Sequence, residues 1–352
     1  MTSNAAIRER LKRGVVEHVF PGAVTGVVTR AGKRDFITAG RFTYDESSPM
    51  IVEDTVYDVA SITKAVPVGL LALRYIEEGK LGLDEQVVKY IPEVSMPGRE
   101  KGLIRHLLTY TYVLAKNLDP NFSYEHQRAE DIFDFLYHRS FAFSPGSRYQ
   151  YSNTPANLLG VILERISGKK LYALAQERVL DPLGMSHSGF HPSKPEEIPP
   201  TEIVSWRGEV QGIVHDETAF ILERAGYDPG CAGLFSNAND VLNVAEMILN
   251  GGSFGGVQIF TERTVSLMVT NALSMAEQSC GIGWELNQPR FMGRHAHEHM
   301  IGKTGFTGTC MVIDPKSGRA FVHLSNRTYP KRGSADPINA VRRDIADAVF
   351  AS

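Results

Sequence analysis

Between Ala5 and Val19 the apolar residues Ile7, Leu11, Val15, Val16 and Val19 recur at the spacing of one helix face, and Pro21-Gly22 closes the run. Two β-rich runs follow, Ala23 to Thr29 and Arg34 to Phe42, split by Ala31-Gly32-Lys33, a pattern that predicts a hairpin. From Ser61 a helical pattern extends to about Glu78, and Gly79 ends it. Pro67 lies inside that pattern. Because proline removes an amide donor and fixes φ, a kink or irregular first turn is expected there. From Leu81 to Lys194 the chain reads as mostly helical with few strand signals, and Pro192 to Pro200 is a proline-rich connector. An amphipathic helix is expected over Val241 to Asn250. Alternating β-runs follow at Thr307 to Asp314 and Arg319 to Asn326, joined by Pro315-Lys316-Ser317-Gly318, and Ile338 to Phe350 reads as a closing helix.

Strands at both ends with helices between them predict a discontinuous α/β domain, residues 1–80 together with 200–352, carrying a mostly helical insertion over residues 81–199. The two end segments would share one antiparallel sheet with helices packed on it. A length of 352 residues fits two such units. The net charge of −3 gives no reason to expect nucleic acid or an anionic membrane as partner. No run of 18 apolar residues exists to span a bilayer. Met1 to Arg13 lacks the apolar stretch of a secretory signal, so a cytoplasmic location is expected. Cys231, Cys280 and Cys310 are too few and too scattered for a disulfide framework or a zinc knuckle, and read as reduced, part-buried thiols.

Three short motifs carry chemistry. In Ser61-Ile62-Thr63-Lys64, placed at a helix start, positions i and i+3 share a face, which sets a hydroxyl beside an amine. A serine becomes a competent nucleophile when a neighbour takes its proton; the plain alternative is an N-cap serine. The same spacing recurs at Ser167-Gly168-Lys169-Lys170, which reads as a helix-end turn. Tyr151-Ser152-Asn153 is the one Tyr-x-Asn in the chain. Its phenol suits proton transfer near lysines, its amide suits orientation of Lys64 or a substrate carbonyl, and the alternative is a core tyrosine in a turn. Lys303-Thr304-Gly305 precedes the β-run expected from Thr307. It offers a cation, a hydroxyl and a small residue beside which a substrate backbone can lie, or else a charged residue entering a strand. The N–H of Phe306 would join that of Ser61 as an oxyanion hole.

The order Ser-x-x-Lys, Tyr-x-Asn, Lys-Thr-Gly, with 90 residues from Ser61 to Tyr151 and 152 more to Lys303, resembles the serine β-lactamase and penicillin-binding superfamily. The middle motif looks like the class C β-lactamase branch, which includes D-alanyl-D-alanine carboxypeptidases, D-aminopeptidases and family VIII carboxylesterases. Further stretches resemble the same family: Glu77-Glu78-Gly79-Lys80-Leu81, Ile104-Arg105-His106-Leu107-Leu108-Thr109, Gly233-Leu234-Phe235-Ser236 and Gly281-Ile282-Gly283-Trp284. The resemblance implies an α+β fold of the β-lactamase/transpeptidase type, an antiparallel sheet flanked by helices plus an all-α domain, with the active site between them. It makes Ser61 the acylated nucleophile, Lys64 its partner, Tyr151 the proton-transfer residue and Asn153 a substrate-positioning amide. Lys303 would neighbour Tyr151 and face the substrate, with Thr304, Gly305 and Phe306 lining the same strand end. No metal and no organic cofactor is implied, and the partner is a small ester, amide or lactam.

Departures from the family pattern matter. Relatives commonly read Leu-Leu-Thr-His-Thr-Ser-Gly-Leu where this chain has Leu107-Leu108-Thr109-Tyr110-Thr111-Tyr112-Val113-Leu114, so added bulk is expected at a loop bordering the cleft. Esterase-like relatives often carry His-Thr-Gly or Trp-x-Gly as third motif, so Lys303 points to a carboxylate-bearing substrate, whereas the absence of an export signal points to an esterase or amidase. The expectation adopted is an esterase or amidase, with a β-lactamase or D-Ala-D-Ala peptidase second and a catalytically weak scaffold of the same fold third. His295-Ala296-His297-Glu298-His299 lacks the His-Glu-x-x-His spacing of zinc hydrolases and reads as solvated histidines. Gly251-Gly252-Ser253-Phe254-Gly255 matches a nucleophile elbow in letters only, since a helix rather than a strand precedes it. Val214-His215-Asp216-Glu217 reads as a loop lining the cleft.

Overall fold

The computed structural model describes residues 3–94, 96–115, 123–275 and 278–351. Residues 116–122, inside the stretch expected to be helical, lie outside the described residues. The hairpin Gly22–Thr29 with Arg34–Gly40 forms as its pattern predicts, and its first strand pairs with Arg319–Ser325, from Ala23 opposite Ser325 to Thr29 opposite Arg319. The two ends of the chain therefore share one antiparallel sheet of seven strands. Its order runs Arg34–Gly40, Gly22–Thr29, Arg319–Ser325, Cys310–Asp314, Ile301–Thr304, Trp284–Leu286, Cys280–Gly281.

Side chains alternate across a strand, and both faces of this sheet are covered. Val24, Val28, Val322 and Leu324 enter a core shared with helix Ala238–Leu249 and the segment after Ser61. Ala23, Phe321 and Val312 enter a second core under the helices Ser3–Val16 and Asp336–Phe350. Ile7 and Leu11 are buried there as the apolar spacing predicts, but Val16, expected on the same face, is exposed at the end of its helix. Between Val87 and Leu180 the described residues form short helices and turns, the longest being Thr154–Ser167. That helix ends at Gly168, whose φ of +69° makes the second Ser-x-x-Lys a helix-end turn. No helix among the described residues is long and apolar enough to cross a membrane. The three thiols are free and fully buried, not part-buried.

Two corrections bear on the site. Lys303 does not precede a strand; it lies in one, Ile301–Thr304, and residues Gly305 to Thr309 form the turn into Cys310–Asp314. Gly308 at φ +119° and the bond from the Gly305 N–H to the Thr309 carbonyl (2.7 Å) close that turn. Moreover, the expected long helix from Ser61 is three pieces. A 3₁₀ turn spans Ala60–Lys64, an irregular stretch follows over Ala65–Gly69, and an α-helix covers Leu70–Glu77. Val66, immediately before Pro67, has φ −122° and ψ 111°, the extended backbone that a following proline imposes. The disruption expected at Pro67 is present there.

Candidate active site

In a 3₁₀ turn three residues complete one revolution, so positions i and i+3 eclipse. Ser61 and Lys64 therefore stand side by side, and Lys64 Nζ donates to Ser61 Oγ at 2.8 Å and to the Cys231 carbonyl at 2.7 Å. Lys64 is almost wholly buried. The turn is thus a 3₁₀ turn and not the α-helix start that the pattern predicts.

Tyr151 lies on the loop ahead of helix Thr154–Ser167, 41% exposed. Lys64 Nζ is 5.3 Å and Lys303 Nζ 4.5 Å from its ring centroid, which places the ring beside both lysine nitrogens. Lys303 itself is fully buried. Its Nζ donates to Glu285 Oε1 at 2.9 Å and to the Tyr110 hydroxyl at 2.8 Å, and its side chain is not among those that line the cavity with Thr304, Gly305 and Phe306. It neighbours Tyr151 as expected, but in this structure it does not face the cavity. Burial pulls the Lys303 ammonium down, yet Glu285 and the tyrosines Tyr110, Tyr151 and Tyr149 outweigh it, and the net shift is well upward. Burial raises the Glu285 carboxyl, but Lys303 and Arg290 (2.7 Å) hold it below its ordinary value.

That pair makes a stability prediction with a definite sign. A depressed carboxyl stabilises the fold above its unfolded value of 4.5 and loses that contribution as pH falls through the folded value. A raised ammonium stabilises the fold below 10.5 and loses its contribution as pH rises through the folded value. Between those limits Glu285→Gln leaves a buried cation without its carboxylate, a change that typically costs about 3–5 kcal/mol. Urea unfolding at pH 7 should show a loss of that order, shrinking on acidification.

Asn153 Nδ2 donates to Asp216 Oδ2 at 2.9 Å, while Asp216 Oδ1 accepts the Ala219 N–H at the start of helix Glu217–Arg224. His215, Asp216 and Glu217 line the cleft, as the loop reading predicts. Burial first, then Arg332, hold the His215 imidazole down to about 3, so it is neutral at physiological pH; its Nδ1 lies 3.0 Å from Thr201 Oγ1. A cavity of about 690 Å³ joins Ser61, Tyr151, Asn153, Thr304, Gly305 and Phe306. Its far wall carries Arg290, Arg327, Arg332 and Arg342. The exposed Phe306 ring lies under Arg327 (4.7 Å) and Arg332 (5.4 Å).

Gly305 has a packing reason to be glycine. A Cβ there would meet Thr309 Oγ1 at 2.1 Å and the Val59 carbonyl at 2.4 Å, so the missing side chain lets the turn pack against the residues before Ser61. The strand just before it, Ile301–Thr304, is interior to the sheet, between Trp284–Leu286 and Cys310–Asp314. Gly305→Ala should force the two segments apart, lowering kcat on an ester substrate by roughly tenfold or more, the scale on which small misplacements act. Steady-state kinetics on the folded variant checks this.

The bulk expected at the cleft border faces inward instead. Tyr110, Tyr112 and Val113 are all buried: Tyr110 holds Lys303, and the Tyr112 hydroxyl accepts from Arg99 Nε at 3.0 Å. Ser253 sits in a two-residue strand and donates to Gln258 Oε1 at 2.6 Å. His297 Nε2 lies 2.9 Å from Asp314 Oδ1, and His299 Nδ1 3.2 Å from the Val269 carbonyl. Tyr110, Glu285, Asp216 and the Cys231 carbonyl were not singled out as site residues. Glu285 directly follows the Gly281-Ile282-Gly283-Trp284 stretch, and that adjacency was the signal available for it.

This arrangement has known parallels. The profile of the Beta-lactamase family matches residues 4–344. An Escherichia coli O157:H7 protein with the provisional name D-alanyl-D-alanine carboxypeptidase is 32% identical over 321 residues, which cover 80% of this chain and 71% of that protein. Among solved structures, EstCE1, described as a hydrolase with promiscuous acyltransferase activity, superposes with a TM-score of 0.80 at 22% identity, covering 99% of this chain and 98% of its own. A class C β-lactamase gives 0.78 at 19% identity, covering 97% and 95%. The chain belongs to the β-lactamase family of serine hydrolases. Its fold is that of the β-lactamase/transpeptidase group.

Proposed function

We propose that the protein hydrolyses a carboxylic ester or amide through an acyl-enzyme on Ser61. The observation that carries this reading is the Lys64 Nζ to Ser61 Oγ contact of 2.8 Å at the floor of a cavity that Tyr151 and Asn153 also line. Ser61 Oγ bonds to the substrate carbonyl carbon as its proton passes to Tyr151 acting as the phenolate, with Lys64, acting as the neutral amine, the alternative acceptor. The N–H groups of Ser61 and Phe306 receive the developing oxyanion. Tyr151 returns the proton to the departing oxygen or nitrogen as that bond breaks. Water then adds to the acyl carbon, gives up a proton and releases the acid, and Ser61 regains its hydrogen. Lys303, committed to Glu285 and Tyr110, acts here on Tyr151 and not on the substrate.

A second reading, a β-lactamase or D-Ala-D-Ala carboxypeptidase, is favoured by Arg327 on the cavity lining, which donates to backbone carbonyls and suits a substrate carboxylate, and by the name of the E. coli relative. Rates on a short p-nitrophenyl ester, a D-amino-acid amide, nitrocefin and a D-Ala-D-Ala peptide separate the two. The ester or amide is expected to turn over fastest. Nitrocefin or peptide turnover far above both would reverse the order.

A further inference from the structure

Asp58 lies two residues before the nucleophile turn, in the short strand Tyr57–Asp58 paired with Phe235–Ser236, and is 1% exposed. Its Oδ1 accepts the Ala60 N–H at 2.7 Å, and its Oδ2 accepts the His215 N–H at 2.7 Å. Its own carbonyl accepts from Thr307 Oγ1 at 2.8 Å, and the next carbonyl, of Val59, accepts from Thr309 Oγ1 at 3.0 Å. One residue thus touches the turn that presents Ser61, the loop whose Asp216 holds Asn153, and the turn that follows Lys303-Thr304-Gly305. Ala60 is held at φ +50°, a left-handed conformation that a residue with a Cβ avoids, and the Asp58 carboxylate receives the N–H of that very residue.

We infer that Asp58 is a positioning residue for the site: its carboxylate sets the distance between the Ser61 turn and the loop that orients Asn153. The inference rests on the reading of Ser61 as nucleophile. Burial pushes the Asp58 carboxyl up to about 6, Asp216 adds to the rise, and the two backbone N–H groups and Arg207 oppose it. A carboxyl raised in the fold binds its proton more tightly there than in the unfolded chain. Ionising this buried carboxyl is therefore a cost to the fold, which the two backbone N–H groups offset in part. The ionised form offers both oxygens as acceptors to two opposed N–H groups with no carboxyl hydrogen left to place. In Asp58→Asn one of those N–H groups must meet an NH₂.

The test uses the full-length protein and compares wild type, Asp58→Asn and Asp58→Glu. The readouts are the second-order rate of Ser61 labelling by a fluorophosphonate, kcat and KM on a p-nitrophenyl ester, and thermal melting. Folded Asp58→Asn is expected to lose roughly 10²-fold in labelling rate and in kcat, with KM within about threefold of wild type, the pattern of a misplaced reacting group. Labelling and kcat within twofold of wild type overturn the inference, whether or not Tm falls. If Asp58→Asn does not fold, Asp58→Glu decides. It keeps the carboxylate but moves it by one methylene against the Ala60 and His215 N–H groups, and should label roughly tenfold more slowly; a wild-type rate overturns the inference. A wild-type protein that the reagent does not label sinks the nucleophile reading, and the positioning role with it, and so is distinguishable from a labelled wild type with an equally reactive variant.

Discussion

Ser61→Ala leaves a folded protein whose turnover falls by at least roughly three powers of ten, the scale seen when a covalent nucleophile is removed. The hydroxyl opens on the cavity, so its removal creates no void in either core. Lys64 keeps its bond to the Cys231 carbonyl and remains in place. Circular dichroism and melting temperature should therefore match wild type while kcat/KM on the best substrate collapses. Undiminished turnover would move attention to Ser253, although its hydroxyl is engaged with Gln258 on a separate hairpin.

Tyr151→Phe is the second large effect. The phenylalanine ring can keep its place against Tyr110 (5.2 Å between centroids) and beside both lysines, so the change removes one hydroxyl and little packing. If Tyr151 carries the proton in both directions, kcat falls by roughly 10²–10⁴ with KM little altered, the range that general acid–base catalysis contributes. A loss of only a few-fold assigns proton transfer to Lys64, whose Nζ already contacts the Ser61 hydroxyl.

The sheet core was legible in Gly22–Thr29 and Arg319–Ser325, because β-rich apolar runs bounded by turn residues mark strands that are buried on both faces. Ile301–Thr304 was missed because Ile-Gly-Lys-Thr has one large apolar residue and a buried lysine that no pattern distinguishes from a solvated one. Two further strands, Cys280–Gly281 and Trp284–Leu286, are too short for any periodicity. Within the candidate site, the residue types and their order were readable, since each motif is local. What holds them was not. Glu285 and Tyr110 reach Lys303 from 18 and 193 residues away, and Lys64 reaches the Cys231 carbonyl across 167. Contacts of that separation are fixed by topology, and a single sequence does not display them. The same limit explains the misplaced bulk at Tyr110 and Tyr112, whose partners Lys303 and Arg99 draw both side chains into the interior.

The most direct test of the account is the mass of the tryptic peptide that contains Ser61 after incubation with a fluorophosphonate or a slowly released acyl donor. A covalent increment on that serine, absent from Ser61→Ala, is the predicted result. An enzyme that turns over substrate while residue 61 stays unmodified, or an adduct that forms elsewhere in the chain, would contradict it.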